Sequence, residues 1–441
     1  MTRSPRSAMK IGIYFKTEHL GEWNWEDVLE GRVGVSGTDY RNIDLAYQLS
    51  RHGVEVTVYA TQTPLPPPPD GVKSISVASL PEVVERAGPK GDLLWFSNRE
   101  DQDTWDGIQK CRELGVPCIV SSGIDLSLKT ADLLHQTESV RRLVTVSAAQ
   151  ADLLRDHPVF AKTEAIHGNG LKPAFTKKLS DPPKRDTHRV GFLGSLTASK
   201  GFQHVARTWP AVKDTIPDAT LDVVGSAKLY DRDESLGPLG VARASFERNH
   251  IIPHLGGDSD ALERKGISFH GLLSPKEIRK VFERCSIGVV NPICSGSIET
   301  FCVSAVEVQA CGAAVVSANR VGLKETARHG ETGLLIESEE ELAPTLIDLL
   351  KDPDRARMMG RRGREWVRSR FTRERVADEW MSLFESVCAG DSPSPPSFSW
   401  RRTTLRNTVR EGIRRARSLP WIGSTIPSLR DLREKIGGAW R

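Results

Sequence analysis

The sequence predicts an α/β protein built from two doubly wound parallel sheets, and three features lead there. Short apolar runs rich in Val, Ile and Leu recur along the chain: IGIYF, VEVTVYA, DLLWF, PCIVSS, LVTVS and TEAIHG, then VGFLGS, LDVVGS, ISFHG, IGVVN and AAVVSA. Helical patterns separate them, and continuous apolar strands alternating with helices belong to parallel sheets covered on both faces. A polar, basic, proline-containing stretch, LKPAFTKKLSDPPKRDTHR at residues 171–189, divides the series in two and reads as a linker. At 441 residues the chain also exceeds one ordinary core.

Each element has its own justification. In SPKEIRKVFERC, Ile278, Val281, Phe282 and Cys285 fall on one helical face, with Ser274 and Pro275 as start signals. The expected organisation is a disordered segment at 1–8 (with Met9 as an alternative start), a first domain at 9–175 and a second at 176–388. A Ser/Pro linker follows at 389–399 and a basic tail at 400–441. Open parallel sheets bind ligands beyond the carboxyl ends of their strands, so two such sheets facing each other are expected to enclose a cleft. The connection at 226–266 is long and charged, as a lid or an acceptor or partner surface would be.

Composition narrows the class. The chain has 61 basic and 57 acidic residues, but residues 400–441 alone carry eleven Arg or Lys against three acids, a local net of +8. The remainder is therefore acidic; nucleic acid is not an expected partner, because no recognised fold or aromatic stacking platform accompanies the arginines. Seven cysteines are scattered without any Cys-x-x-Cys pair, which fits reduced thiols in a cytoplasm and predicts no metal site. The start MTRSPRSAMK lacks the apolar region of a signal peptide, and no apolar run of about 18 residues predicts a membrane-spanning helix.

The stretch GSIETFCVSAVEVQACG places Glu299 and Glu307 eight positions apart in what reads as one buried helix entered through a Ser/Gly loop. Glu307 has apolar or small neighbours, so its carboxylate needs a partner or a ligand. On a helix the two positions are about 12 Å apart along the axis. A glycosidase pair stands closer, roughly 5 to 9.5 Å apart, so two carboxylates acting on one bond are not expected. The spacing suits an elongated ligand held at both ends, with a diphosphate at the helix N-terminus between them. A nucleotide sugar has that shape.

IETFCVSAVEVQACGAAVVSA resembles the Glu-x7-Glu signature of retaining, family-four-type glycosyltransferases with the GT-B fold. GVSGTDYRNIDLAYQLSRHGVEVTV resembles that family's first-domain glycine loop, VGFLGSLTASKGF the opening of its donor domain, and ISFHGLLSPKEIRKVF and GLKETARHGETGLLI its later segments. The resemblance covers roughly residues 9–388 and is strongest from 190 to 370. It implies that Glu307 bonds the ribose, that Glu299 faces the donor sugar, and that the amides of Thr300 and Phe301 cradle sugar and diphosphate. Lys200 matches the lysine that neutralises the diphosphate. Gly37 belongs to the glycine loop, and Ser195, Gly271 and Leu272 fall among the donor-binding positions. Two positions depart from the pattern: Ser195 stands where the family has an arginine, and PCIVSSGIDLS lacks a family histidine, leaving Asp125 as the nearest polar candidate. Asp125 reads equally well as the N-cap of the following helix.

The resemblance thus implies a metal-independent, retaining transferase that needs no cofactor beyond its nucleotide-sugar substrate and delivers the sugar to an acceptor hydroxyl, glycan or lipid-linked. A phosphorylase or epimerase of the same fold, or a non-catalytic nucleotide-sugar binder or scaffold, is the alternative. In the tail, Leu405, Val409, Ile413 and Ala416 line one helical face beside a row of Arg402, Arg406, Arg410 and Arg414, with Trp400 and Trp421 at the ends. Such a helix suits an anionic membrane surface, and a cytoplasmic location at the inner face follows. The competing expectation packs the helix on the protein's own acidic remainder.

Overall fold

The computed structural model describes residues 9–88, 93–168, 170–176, 185–229, 233–296, 298–396 and 404–418. The expected 1–8 segment, Trp400, Arg402, Trp421 and the side chains of Leu405 and Arg406 lie outside the described residues. The chain forms two compact units. One gathers the described residues up to Thr17, Asp44–His167 and those from Val376 on; the other gathers Glu18–Ile43 and Gly168–Arg375.

In the first unit, seven strands, β1 (Lys10–Phe15), β2 (Glu55–Ala60), β3 (Val72–Ser76), β4 (Leu93–Ser97), β5 (Cys118–Ser122), β6 (Val140–Thr145) and β7 (Thr163–Ala165), form a sheet in the order β3-β2-β1-β4-β5-β6-β7. Every pairing is parallel. Leu94, Phe96, Val120 and Leu143 pack with Val83, Val84 and Ile108 from the flanking helices Leu80–Ala87 and Gln102–Leu114. Ser79, Asp101, Ser127 and Ser147 cap their helices by accepting a first-turn N–H, which meets backbone donors the helix leaves open. Trp380, on the helix Arg373–Ala389, stacks against Trp95 of β4 at 4.9 Å, so from Val376 that helix belongs with this sheet rather than with the second half. The Ser/Pro segment is partly tied down here as well: Arg142 donates to the Asp391 carbonyl at 2.7 Å.

The second unit repeats the design with β8 (Asp186–Leu193), β9 (Thr220–Val224), β10 (Ile267–Gly271), β11 (Cys285–Val289), β12 (Ala314–Ala318) and β13 (Gly333–Ile336), in the order β10-β9-β8-β11-β12-β13. The helix Pro275–Phe282 starts at the expected cap: Ser274 and Glu277 exchange side-chain and backbone bonds. On β9, buried Asp222 receives Arg189 Nε and Nη2 from β8 and lies 2.7 Å from His270 Nε2 of β10. Both sheets reverse direction at one point, between β1 and β4 and between β8 and β11. Loops leaving the strands at such a point are where ligands bind.

The described parts of the stretch read as a linker, 171–176 and 185–189, are built into the second unit. Leu171 and Phe175 are buried, Leu171 N–H donates to the Phe371 carbonyl at 2.8 Å, and β8 already begins at Asp186. Segment 226–266 is partly built in too. Glu247, fully buried, accepts N–H bonds from Leu239, Val241 and Ala242 at 2.7, 2.9 and 2.8 Å, which fixes the loop around it.

The described part of the tail is the helix Thr404–Arg417, and it docks on the first unit by its arginines. Arg410, only 7% exposed, pairs with Asp152 at 3.0 Å and Asp156 at 3.4 Å, while Arg414 lies over the Phe160 ring at 5.1 Å. Val409 of the expected apolar face is 46% exposed instead. Charge complementarity with Asp152 and Asp156 outweighs the burial of one Val, so part of the cationic row is spent inward.

Candidate functional site

The site grows from the loops at the switch point of the second unit. After β8, Gly194 and Ser195 lead through Thr197 into a short turn, Ala198–Lys200. Gly225, after β9, passes so close to the Gly194 carbonyl that any Cβ there would collide with it, so only glycine lets these two loops lie backbone to backbone. Gly225 N–H donates to the carbonyl of Gly271, which ends β10 beside half-buried Leu272. Ser195 is buried with its Oγ 3.2 Å from Thr197 Oγ1. The expected donor-binding positions 195, 271 and 272 thus lie on neighbouring loops.

After β11, Asn291 adopts a left-handed φ of 34°. Its Nδ2 donates to Glu299 Oε2 at 2.8 Å, and Lys200 Nζ donates to the same oxygen at 2.7 Å. One carboxylate oxygen therefore joins the loops after both strands of the switch point. Glu299 is not on the helix: Val303–Ala310 begins four positions later, so the helical separation of about 12 Å does not describe the two glutamates. Instead Glu299 lies in a loop held by Gly322, whose N–H donates to the Glu299 carbonyl at 3.0 Å and whose missing Cβ leaves room for the Thr300 carbonyl. Thr300 and Phe301 are buried, and Phe301 packs edge-on against Phe371 at 5.5 Å. Cys302 takes the N-cap position without a side-chain cap bond, so no cap side chain engages the first-turn N–H groups.

Glu307 lies on the buried helix Val303–Ala310, as expected, and it has a partner that the sequence reading missed. Lys172 Nζ donates to its Oε1 at 2.8 Å, with both residues buried. Lys172 sits in the stretch taken for a linker, and its Pro and Lys neighbours hid it. Asn291 was missed as well, although an Asn-Pro pair closing an apolar strand is a turn signal.

Two further expected site residues come from earlier parts of the chain. Gly37 opens the helix Gly37–Arg51, where Ser36 Oγ accepts the Asp39 N–H and His19 Nε2 lies 3.0 Å from Asp39 Oδ2. Asp125 belongs to the first unit, in the loop after β5, and it is not the cap of the next helix: Ser127 is.

Residues 187–352 match the family model described as glycosyl transferases group 1. Residues 187–352 are thus similar to a group 1 glycosyltransferase domain. Spore coat protein SA of Bacillus subtilis (strain 168) is 23% identical over 361 residues, covering 75% of this chain and 90% of that protein. Alpha-maltose-1-phosphate synthase of Mycolicibacterium smegmatis is 26% identical over 302 residues, 64% of this chain and 70% of that one. Among solved structures, sucrose-phosphate synthase from Thermosynechococcus elongatus superposes with a TM-score of 0.66 at 18% identity, covering 87% of this chain and 100% of the other. Anabaena HepE in complex with UDP-glucose superposes with a TM-score of 0.60 at 15% identity, covering 86% and 100%. At these identities the likeness is one of fold, the two-sheet GT-B architecture.

Lys200, Asn291, Glu299 and Glu307 lie within the matched residues, Lys172 precedes them, and all five belong to the second unit. Cys302 lies between the two glutamates in sequence, and burial followed by the Glu299 charge pushes its thiol up to about 12, so it is no nucleophile at neutral pH. Among the described residues, no helix is long and apolar enough to cross a membrane.

Proposed function

We propose that the protein transfers a sugar from a nucleotide-sugar donor to an acceptor hydroxyl with retention of configuration and without a metal ion. The observation that carries this is the junction at Glu299, where Lys200 and Asn291 converge from the two strand ends at the switch point. In this reading Lys200 turns toward the donor diphosphate and stabilises the charge that grows as the bond from the sugar C1 to the phosphate oxygen breaks. Glu299, steadied by Asn291, accepts from the sugar hydroxyls. Glu307 accepts from the ribose, and the first-turn amides of Val303–Ala310 face the diphosphate. The leaving phosphate takes the acceptor proton, so no histidine is needed. The acceptor is a glycan or lipid-linked hydroxyl, and Asp125 of the first unit is the candidate to contact it.

Ser195 supports a second reading, a nucleotide-sugar binder without turnover, because its buried hydroxyl supplies no cation where the related family has an arginine. One experiment separates the two. UDP, GDP, ADP and TDP sugars are screened by thermal shift, where a ligand at 100 times its Kd adds about 2.7 kcal/mol. Release of the nucleoside diphosphate from the stabilising sugar is then followed over time. Stabilisation with release supports transfer, stabilisation without release supports the binder, and no stabilisation by any of them refutes both. The buried Arg410 supports the tail helix as an intramolecular brace; sedimentation with anionic vesicles tests the membrane contact expected of it.

A further inference from the structure

Glu307 is a carboxylate on a helix whose neighbouring residues, Val306 and Val308, are buried apolar side chains. Lys172 reaches it from 135 positions away. Taking both charges out of water is expensive, and an apolar pair of similar volume in that place is commonly as stable or more so. The pair is therefore poorly explained as a stabilising device. It is well explained if the carboxylate has to stay ionised and fixed in one orientation while its other oxygen serves a ligand.

The geometry has that form. Lys172 Nζ donates to Oε1, and among the described residues no hydrogen bond is made to Oε2. The ammonium also lies 5.4 Å from the Tyr40 ring centroid, within cation–π range. The backbone that carries Lys172 is held on both sides. Leu171 N–H donates to the Phe371 carbonyl, Arg279 Nη1 donates to the Ala174 carbonyl at 2.6 Å, and Arg368 Nη2 donates to the Phe175 carbonyl at 3.0 Å. A side chain on so fixed a segment can set the angle of the carboxylate it touches.

We propose that Lys172 is a positioning residue for nucleotide recognition, holding Glu307 Oε1 so that Oε2 meets a ribose hydroxyl. This rests on the reading of Glu307 as the ribose-binding carboxylate. It predicts that Lys172 governs discrimination between ribose and deoxyribose without touching the nucleotide itself.

The test measures dissociation constants by calorimetry for UDP, GDP and ADP and for their 2′-deoxy and 3′-deoxy counterparts. For the nucleotide that binds, the wild type favours the ribose form over at least one deoxy form by about tenfold, the value of one charge-assisted hydrogen bond. Lys172→Met brings that ratio to within about twofold of unity and leaves the deoxy form bound nearly as before, whereas Lys172→Arg restores the preference. A residue needed only for folding would instead weaken ribose and deoxy forms alike. If Lys172→Met does not fold, Lys172→Gln, which keeps a neutral donor to Oε1, carries the comparison and gives an intermediate ratio. A ratio that survives Lys172 substitution but collapses in Glu307→Gln overturns the Lys172 assignment alone. A ratio that survives Glu307→Gln overturns the ribose reading of Glu307, and the role of Lys172 falls with it.

Discussion

Replacing Lys200 with Met separates catalysis from folding. Its Nζ lies 2.7 Å from Glu299 Oε2, with the two side chains 26% and 12% exposed. At an effective dielectric near 20, opposite charges about 4 Å apart attract by about 4 kcal/mol. Desolvation, side-chain ordering and screening offset most of this for a partly exposed pair, leaving about 1 kcal/mol. Asn291 still donates to the same oxygen in the variant, so Glu299 is not stranded. The expected stability loss is therefore small. The expected catalytic loss is not: removing a fixed cation from the place where a diphosphate gathers charge costs roughly 2.7–4 kcal/mol, or 10²–10³ in kcat. Urea unfolding gives the first quantity. Nucleoside diphosphate release from the sugar found by thermal shift gives the second, with water as acceptor if no sugar acceptor is known. A kcat within about threefold of wild type, or a stability loss as large as the catalytic one, would refute the assignment.

Three further outcomes follow from other parts of the molecule. Burial pushes the Asp222 carboxyl up, but the Arg189 and His270 bonds and charges outweigh it and hold it below its ordinary 3.8. Its contribution is thus complete above 3.8 and lost as the pH falls through the lower folded value. Asp222→Asn should cost about 1–3 kcal/mol at pH 6, with the deficit shrinking toward pH 3; a deficit independent of pH in urea melts would contradict this. Glu247→Gln removes the charge from a carboxylate that serves three backbone amides and should destabilise the second unit by about 2–4 kcal/mol, read from chemical denaturation, where a loss under about 0.5 kcal/mol would disprove it. Arg410→Ala should release the tail helix, so that trypsin cuts at Arg414 and Arg415 about tenfold faster than in wild type; equal rates would show that Asp152 and Asp156 do not hold it.

The sequence showed the sheet interiors well and the periphery badly. IGIYF, PCIVSS, VGFLGS and AAVVSA all became buried strands, because a strand covered on both faces needs an unbroken apolar run. The strands passed over, β3 as VKSIS and β13 as GLLI, are edge strands, one in each sheet, short and with one neighbour each. The Lys200–Glu299 ion pair was not part of the motif reading, and the position of Glu299 in a loop was hidden, since IETFCVSAVEVQA reads as one helix and its break depends on Gly322, more than twenty positions away. Lys172 was hidden for a related reason. A Lys beside a Pro reads as solvated surface, and only the fold brings it to Glu307. The tail's amphipathic pattern left two readings open, because it identifies a face without saying whether apolar or charged residues find the better partner; Arg410 on Asp152 and Asp156 fits the reading that packs the helix on the protein's own acidic residues.

Glu247 has a consequence for how the molecule can vary. Three amides gathered on one buried carboxylate give the loop from Leu239 to Ala242 a shape set from inside. The outward residues Arg243, Arg248, Asn249 and His250 are exposed and do not make those three bonds. Their chemistry can be exchanged while the scaffold beneath them stays as it is, so this surface can acquire or lose a binding preference by single substitutions without the loop having to be refolded each time.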